Sequence, residues 1–157
     1  MSLAALVYVN TLANELVWDD IGLREFIAIT VHKGGLPALL RAEFFLERPL
    51  GYYRPLVLLS LWLDGQFSPV FPIAYHATNV VLHSINTGLA FAVLTRWLPS
   101  PTAATLGAIL FAVHPVHTES VAFVSGRTDL LACAFVLISC LAVWHHQEHP
   151  ARGGGGG

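Results

Sequence analysis

The sequence predicts an all-α membrane protein, with about four transmembrane helices and short amphipathic interfacial helices in a long first outer loop. Three observations carry this. Hydrophobic residues fill 55% of the 157 positions and charged residues only 11%, against about 25% charged in a soluble domain. Mean hydropathy is +0.62. The apolar residues gather into runs near the length of about 20 that a spanning helix needs, and the charges gather between them.

The elements follow in order. Residues 2–16 predict a short first span, interrupted by Asn10, Asn14 and Glu15. Residues 17–73 hold most of the charge, including Asp19, Asp20, Arg24, Arg41, Glu43, Arg54 and Asp64. Within them, residues 21–31 and 36–46 predict two amphipathic helices, separated by Gly34, Gly35 and Pro37. Pro49-Leu50-Gly51 breaks the second. Residues 54–67 are apolar, but a run of about 14 is more often interfacial, re-entrant or buried than spanning. Residues 75–98 predict the strongest span. Residues 102–113 predict the next, after a Pro99-Ser100-Pro101 turn, running on through Val121. Residues 130–144 predict the last, ending in His145-His146-Gln147-Glu148-His149-Pro150. Trp18, Trp97 and Trp144 fall at helix ends, as an aromatic belt requires.

Residues 1–152 read as a single module. The glycines at 153–157 read as a tag, a linker or a stretch without side-chain identity, outside the fold. Four crossings would place both termini and Arg96 on one side and nearly all other charge opposite. The positive-inside rule alone would make that charged side cytoplasmic. Its basic residues are matched by acids, which points to a folded site instead.

Several classes are excluded. A net charge of −2 with no basic patch argues against nucleic acid. Cys133 and Cys140 lie seven apart in an apolar run. On a helix that is about 10 Å along the axis, too far for a disulfide. No basic stretch precedes residues 3–9, so no cleavable signal is expected. Internal repeats, a P-loop and a dinucleotide fingerprint are absent from the sequence.

The residues able to carry chemistry lie mostly in the charged segments. Asp19 and Asp20 are adjacent carboxylates at the end of the first span. One would serve as a general base; the plain alternative is a solvated helix start with Asp20 as N-cap. Arg54, between Tyr53 and Pro55, offers a fork suited to phosphate, or else snorkels at an interface. His114, His117 and Glu119 form an H-x-x-H-x-E pattern. Two imidazoles three apart can share a helix face, but the specific H-E-x-x-H zinc motif is missing. These residues are expected to cap a helix end and contact substrate, and no metal is expected. Arg127 and Asp129 stand at the next helix start, either as a structural pair or with Arg127 on a phosphate. His76, Asn79, His83 and Asn86 make one polar stripe on an apolar helix. Such a stripe faces protein or a cavity. It would make interhelical hydrogen bonds, touch substrate through His76, or let a histidine ligate a pigment or haem.

Five blocks in this order resemble a known family. They are Trp18-Asp19-Asp20; Tyr53-Arg54-Pro55-Leu56; Tyr75-His76-Ala77-Thr78-Asn79-Val80-Val81-Leu82-His83; Phe111-Ala112-Val113-His114-Pro115-Val116-His117-Thr118-Glu119-Ser120-Val121; and Ser125-Gly126-Arg127-Thr128-Asp129-Leu130-Leu131. Together they resemble the N-terminal part of the transmembrane and tetratricopeptide-repeat (TMTC-like) proteins. These are GT-C membrane glycosyltransferases related to the protein O-mannosyltransferases. The resemblance covers about residues 17–137. Phe123 stands where the family usually has tryptophan.

The resemblance implies a lipid-phosphate-linked sugar donor and transfer to a hydroxyl of a protein or glycan. Asp19 or Asp20 would be the catalytic acid–base residue. Arg54 and Arg127 would steady the phosphate, with His114, His117 and Glu119 lining the site. It also implies an integral, multi-pass protein whose charged face is extracytoplasmic. Family enzymes continue through many more spans. The chain is therefore expected to be a truncated module, incomplete as an enzyme alone. The alternative is a non-catalytic accessory subunit of a larger respiratory or photosynthetic membrane complex. Its polar and histidine face would then pack on other subunits or pigments. Membrane lipids and other membrane subunits are the expected partners.

Overall fold

The computed structural model describes residues 2–44, 52–68 and 71–148. Leu46, the Pro49-Leu50-Gly51 break and the glycine tail lie outside the described residues. All regular elements among the described residues are helical. They are α1 (Ser2–Tyr8), α2 (Asp19–Arg41), α3 (Pro55–Phe67), α4 (Ile73–Trp97), α5 (Pro101–Val113), α6 (Thr118–Ala122) and α7 (Arg127–Glu148). Short 3-10 turns at Val9–Ala13, Pro115–His117 and Val124–Gly126 complete the set.

Local chemistry sets the boundaries. Pro55 and Pro101 open α3 and α5 at the first helical position, where a missing N–H costs nothing. Ser100 caps α5, its hydroxyl accepting from the Ala103 N–H at 3.4 Å. The two predicted amphipathic helices are joined as α2, kinked where Gly35 adopts φ 66° and followed by Pro37. Asp20 is not the N-cap of α2. Trp18 holds that position at φ 50°, without a side-chain cap.

Among the described residues two helical stretches, rather than four, are long and apolar enough to cross a membrane: Ile73–Trp97 and Val124–Glu148, each 25 residues. At 1.5 Å per residue each reaches about 37 Å, beyond a hydrocarbon core of about 30 Å. The first predicted span is only α1 and its 3-10 turn, because Asn14 turns extended (ψ 150°). The third stops at Val113 instead of Val121. Pro115 disfavours helical backbone in the residue before it, and His114 is accordingly extended (ψ 127°). The 13-residue α5 therefore reaches only about 20 Å.

α4 is the central element, packed by α1, α3, α5, α6 and α7. Ala104, Ala108 and Ala112 recur every fourth residue on the buried side of α5. Such small side chains let two helices approach closely. A second core forms where α2 lies on α3, around Leu23, Phe26, Leu39, Leu58 and Leu61.

The polar stripe of α4 is wholly internal: His76, Asn79, His83 and Asn86 are each at most 1% exposed. The Asn79 amide donates to the carbonyls of Val121 (3.4 Å) and Phe123 (3.0 Å). His83 Nε2 lies 3.1 Å from the Ala112 carbonyl. The Asn86 amide donates to the Leu130 carbonyl at 2.8 Å. The chain itself thus covers this face, through interhelical hydrogen bonds from α4 to its neighbours.

The segment between α5 and α7 is a run of short helical turns, not a plain loop. Gly126 is required there, because a Cβ would sit 2.7 Å from the Ser120 Cα. Gly126→Ala should destabilise the fold by about 1–3 kcal/mol through overpacking. Thermal unfolding of the detergent-solubilised variant checks this.

Candidate functional site

The charged groups meet at one end of the helices, where α2, α3 and α7 begin and α5 finishes. The two adjacent aspartates part company there. Asp19 is exposed. Asp20 is buried, and its carboxylate accepts from the Val124 N–H (3.0 Å), the Ser125 N–H (2.9 Å) and the Ser125 hydroxyl (2.6 Å). Asp19 is thus the member of the pair open to solvent.

Arg54 immediately precedes α3. Its guanidinium lies over the rings of Phe44 (4.9 Å) and Tyr52 (5.0 Å), a cation–π arrangement. Its Nη1 donates to Thr128 Oγ1 at 3.2 Å. The fork is half-buried and held at the start of α7. A helix N-terminus there favours an anion, and an arginine beside it suits phosphate.

Arg127 is enclosed instead. It is 0% exposed. Nη1 pairs with Asp64 Oδ2 at 2.6 Å and donates to Ser60 Oγ at 3.1 Å. Nε donates to Asn79 Oδ1 (2.9 Å) and Nη2 to the Tyr75 carbonyl (2.8 Å). Asp64 also accepts from the Thr78 hydroxyl at 2.7 Å. One guanidinium therefore ties α3, α4 and α7 together, which is the structural-pair reading with Asp64 in place of Asp129. Asp129 accepts from the Ser120 hydroxyl at 3.2 Å.

The histidines form a separate cluster. His83 and His117 have ring centroids 5.1 Å apart, and Phe111 lies 4.5 Å from His117. The Tyr8 hydroxyl donates to the His114 carbonyl at 3.1 Å. His114 Nδ1 accepts from the Val116 N–H at 3.1 Å, capping the turn that follows. Burial, with His83 and His114 nearby, pushes the His117 imidazole below its usual range, favouring the neutral ring. Among the described residues no three His, Cys, Asp or Glu side chains are disposed to hold a metal ion. Glu119 is exposed on α6. His76 is fully buried beside the backbone of Asn14 and Ala122, away from the surface.

A groove of about 450 Å³ opens between α2 and α3, with Arg24, His32, Trp62, Gln66 and Tyr75 on its walls. Arg24 and Tyr75 also line a small inner pocket against Asp20. Sequence reasoning missed this groove, and it missed Ser60, Asp64 and Thr128 as partners of the two arginines. Asp64 carried a signal, since an ionisable residue inside an apolar run needs a partner.

No protein-family model and no solved structure matches the chain. Curated proteins do. The chain is 39% identical over 154 residues to the protein O-mannosyl-transferase Tmtc1 of Drosophila melanogaster, covering 93% of this chain and 18% of that protein. It is 37% identical to Tmtc2 of the same organism, covering 97% and 17%. With human TMTC2 the identity is 32%, covering 92% and 18%. The chain spans less than a fifth of the length of these relatives. Continuous similarity over nine-tenths of its residues makes the chain a TMTC-like segment, related to the TMTC protein O-mannosyl-transferases.

Proposed function

We propose that this segment is a GT-C-like module of a membrane glycosyltransferase that uses a lipid-phosphate-linked sugar donor. It would act as part of a larger active unit, since the relatives named as O-mannosyl-transferases are more than five times its matched length. The observation that supports this reading best is the meeting of Arg54, Thr128 and the start of α7 at 3.2 Å, at the end where Asp19 is exposed.

In the proposed step, Asp19 takes the proton of an acceptor hydroxyl. The oxygen attacks the sugar's anomeric carbon. The bond from that carbon to the phosphate oxygen breaks, and its electron pair leaves with the lipid phosphate. Arg54 and the N-terminus of α7 stabilise the leaving anion. Exposed His114 and Glu119, with half-buried His117, would line the same end. We place α4 and α7 across the bilayer in a multi-pass protein, with this end extracytoplasmic. Exposed Leu106, Ile109, Leu110, Phe135 and Val136 on α5 and α7 would then meet lipid or further helices.

Arg54→Lys keeps the charge but loses the planar fork. It should raise the KM for lipid-phosphate sugar about tenfold, a loss of about 1.4 kcal/mol, with kcat little changed. Steady-state transfer assays in membranes check this. An accessory, non-catalytic subunit is the second reading. Its support is that Arg127, Asp20 and the α4 stripe are spent on internal contacts. Wild-type transfer by Asp19→Asn and Arg54→Met, in the protein carrying this segment, would favour it.

A further inference from the structure

Asp20 neighbours the residue proposed to move the proton, yet its own carboxylate already holds three donors. Oδ2 accepts from the Val124 N–H, and Oδ1 accepts from the N–H and hydroxyl of Ser125. The residue is 3% exposed. Val124 and Ser125 open the turn that leads into α7. The residue before that turn, Phe123, supplies no side-chain cap. The first N–H groups would otherwise be orphaned. Asp20 therefore does for α7 what an N-cap does locally, from 104 residues away in sequence.

Asp20 also stands in the first turn of α2. Two helix N-termini with positive ends thus converge on one carboxylate. One helical turn beyond Ser125, Thr128 Oγ1 accepts from Arg54 Nη1. The place of Thr128 fixes where the remaining donors of Arg54 point. A carboxylate buried behind three such hydrogen bonds is closed to an incoming hydroxyl. A carboxylate that makes them is a strong clamp.

We propose that Asp20 is a positioning residue: by clamping the start of α7 it sets the Arg54 fork for phosphate, while Asp19 exchanges the proton. The inference rests on the transferase reading, and two separate readouts keep the two apart. The first is amide hydrogen exchange of residues 124–128 in the purified, membrane-embedded protein. Asp20→Asn should speed exchange there about 10–100-fold, and Ser125→Ala, which removes one of the three bonds, about 3–10-fold. Unchanged exchange in Asp20→Asn would overturn the clamp.

The second readout is transfer from lipid-phosphate mannose. Asp20→Asn and Thr128→Val should both raise the donor KM about tenfold, while Asp19→Asn should lower kcat at unchanged KM. Thr128→Val keeps the side-chain shape and leaves the three clamp bonds in place, so its effect on KM does not depend on unfolding. Loss of kcat alone in Asp20→Asn, matching Asp19→Asn, would overturn the positioning role. Faster exchange in Asp20→Asn together with full transfer by Asp19→Asn would leave the clamp standing and overturn the proposed function.

Discussion

Replacing Arg127 with leucine should cost about 3–5 kcal/mol, the penalty of stranding a buried charge, and should leave little folded protein. Its guanidinium is fully enclosed. Its loss would leave the Asp64 carboxylate, 2.6 Å away, without its cation, and would free Ser60 Oγ, Asn79 Oδ1 and the Tyr75 carbonyl. Three helices would lose one shared tie. Adding Asp64→Leu to Arg127→Leu should recover part of the loss, because the stranded charge is then removed as well. Arg127→Lys should fall between wild type and leucine, since an ammonium cannot reproduce the fork. Thermal unfolding in lipid nanodiscs checks the order: wild type, then lysine, then the double variant, then leucine alone. Wild-type melting of Arg127→Leu would show that the hub is dispensable.

Asp19→Asn should lower sugar transfer about 10²–10⁴-fold, the range of a lost general base, with melting unchanged. The split follows from exposure. Asp19 faces solvent and Asp20 does not. Asparagine at 19 removes a proton acceptor without stranding a buried partner. Asparagine at 20 places an amide donor against the N–H groups of Val124 and Ser125, which Asp20 now accepts from. The two substitutions are chemically identical and adjacent, yet one should act on chemistry and the other on structure. Transfer rate and melting temperature, measured on both variants at equal expression, check this. Equal loss of melting temperature in both would contradict it.

The helical class was legible because composition and apolar runs report burial directly. Element order was legible too: Pro55, Pro99, Ser100 and Pro101 mark boundaries that the structure keeps. The number of spans was not. The third span was expected to run through the mostly polar residues 114–121, and Pro115 ends it at Val113. Hydropathy averages over a proline that the backbone cannot ignore. The site was half legible. A carboxylate pair, an arginine and a polar block were visible as residues, but the side-chain hydrogen-bond partners of Asp20, Arg54 and Arg127 lie 48 to 105 positions away. Spacing along one chain cannot show that Asp20 serves α7, or that Arg127 belongs to Asp64 rather than to its near neighbour Asp129. The α4 stripe was better specified. Its helical period already required a protein-facing surface, and the structure supplies one from α5, α6 and α7.

The proposed transferase reading requires a lipid phosphate at the Arg54 end of this bundle. Photo-crosslinking tests it most directly. A short-chain prenyl-phosphate mannose with a photoreactive group near the phosphate would be added to the membrane-embedded protein, and the labelled peptides mapped. Labelling of residues 52–56 and 124–129 is expected, competed by unlabelled donor and reduced in Arg54→Met. Labelling confined to the opposite end, around Trp97 and Trp144, or labelling that Arg54→Met leaves untouched, would contradict it.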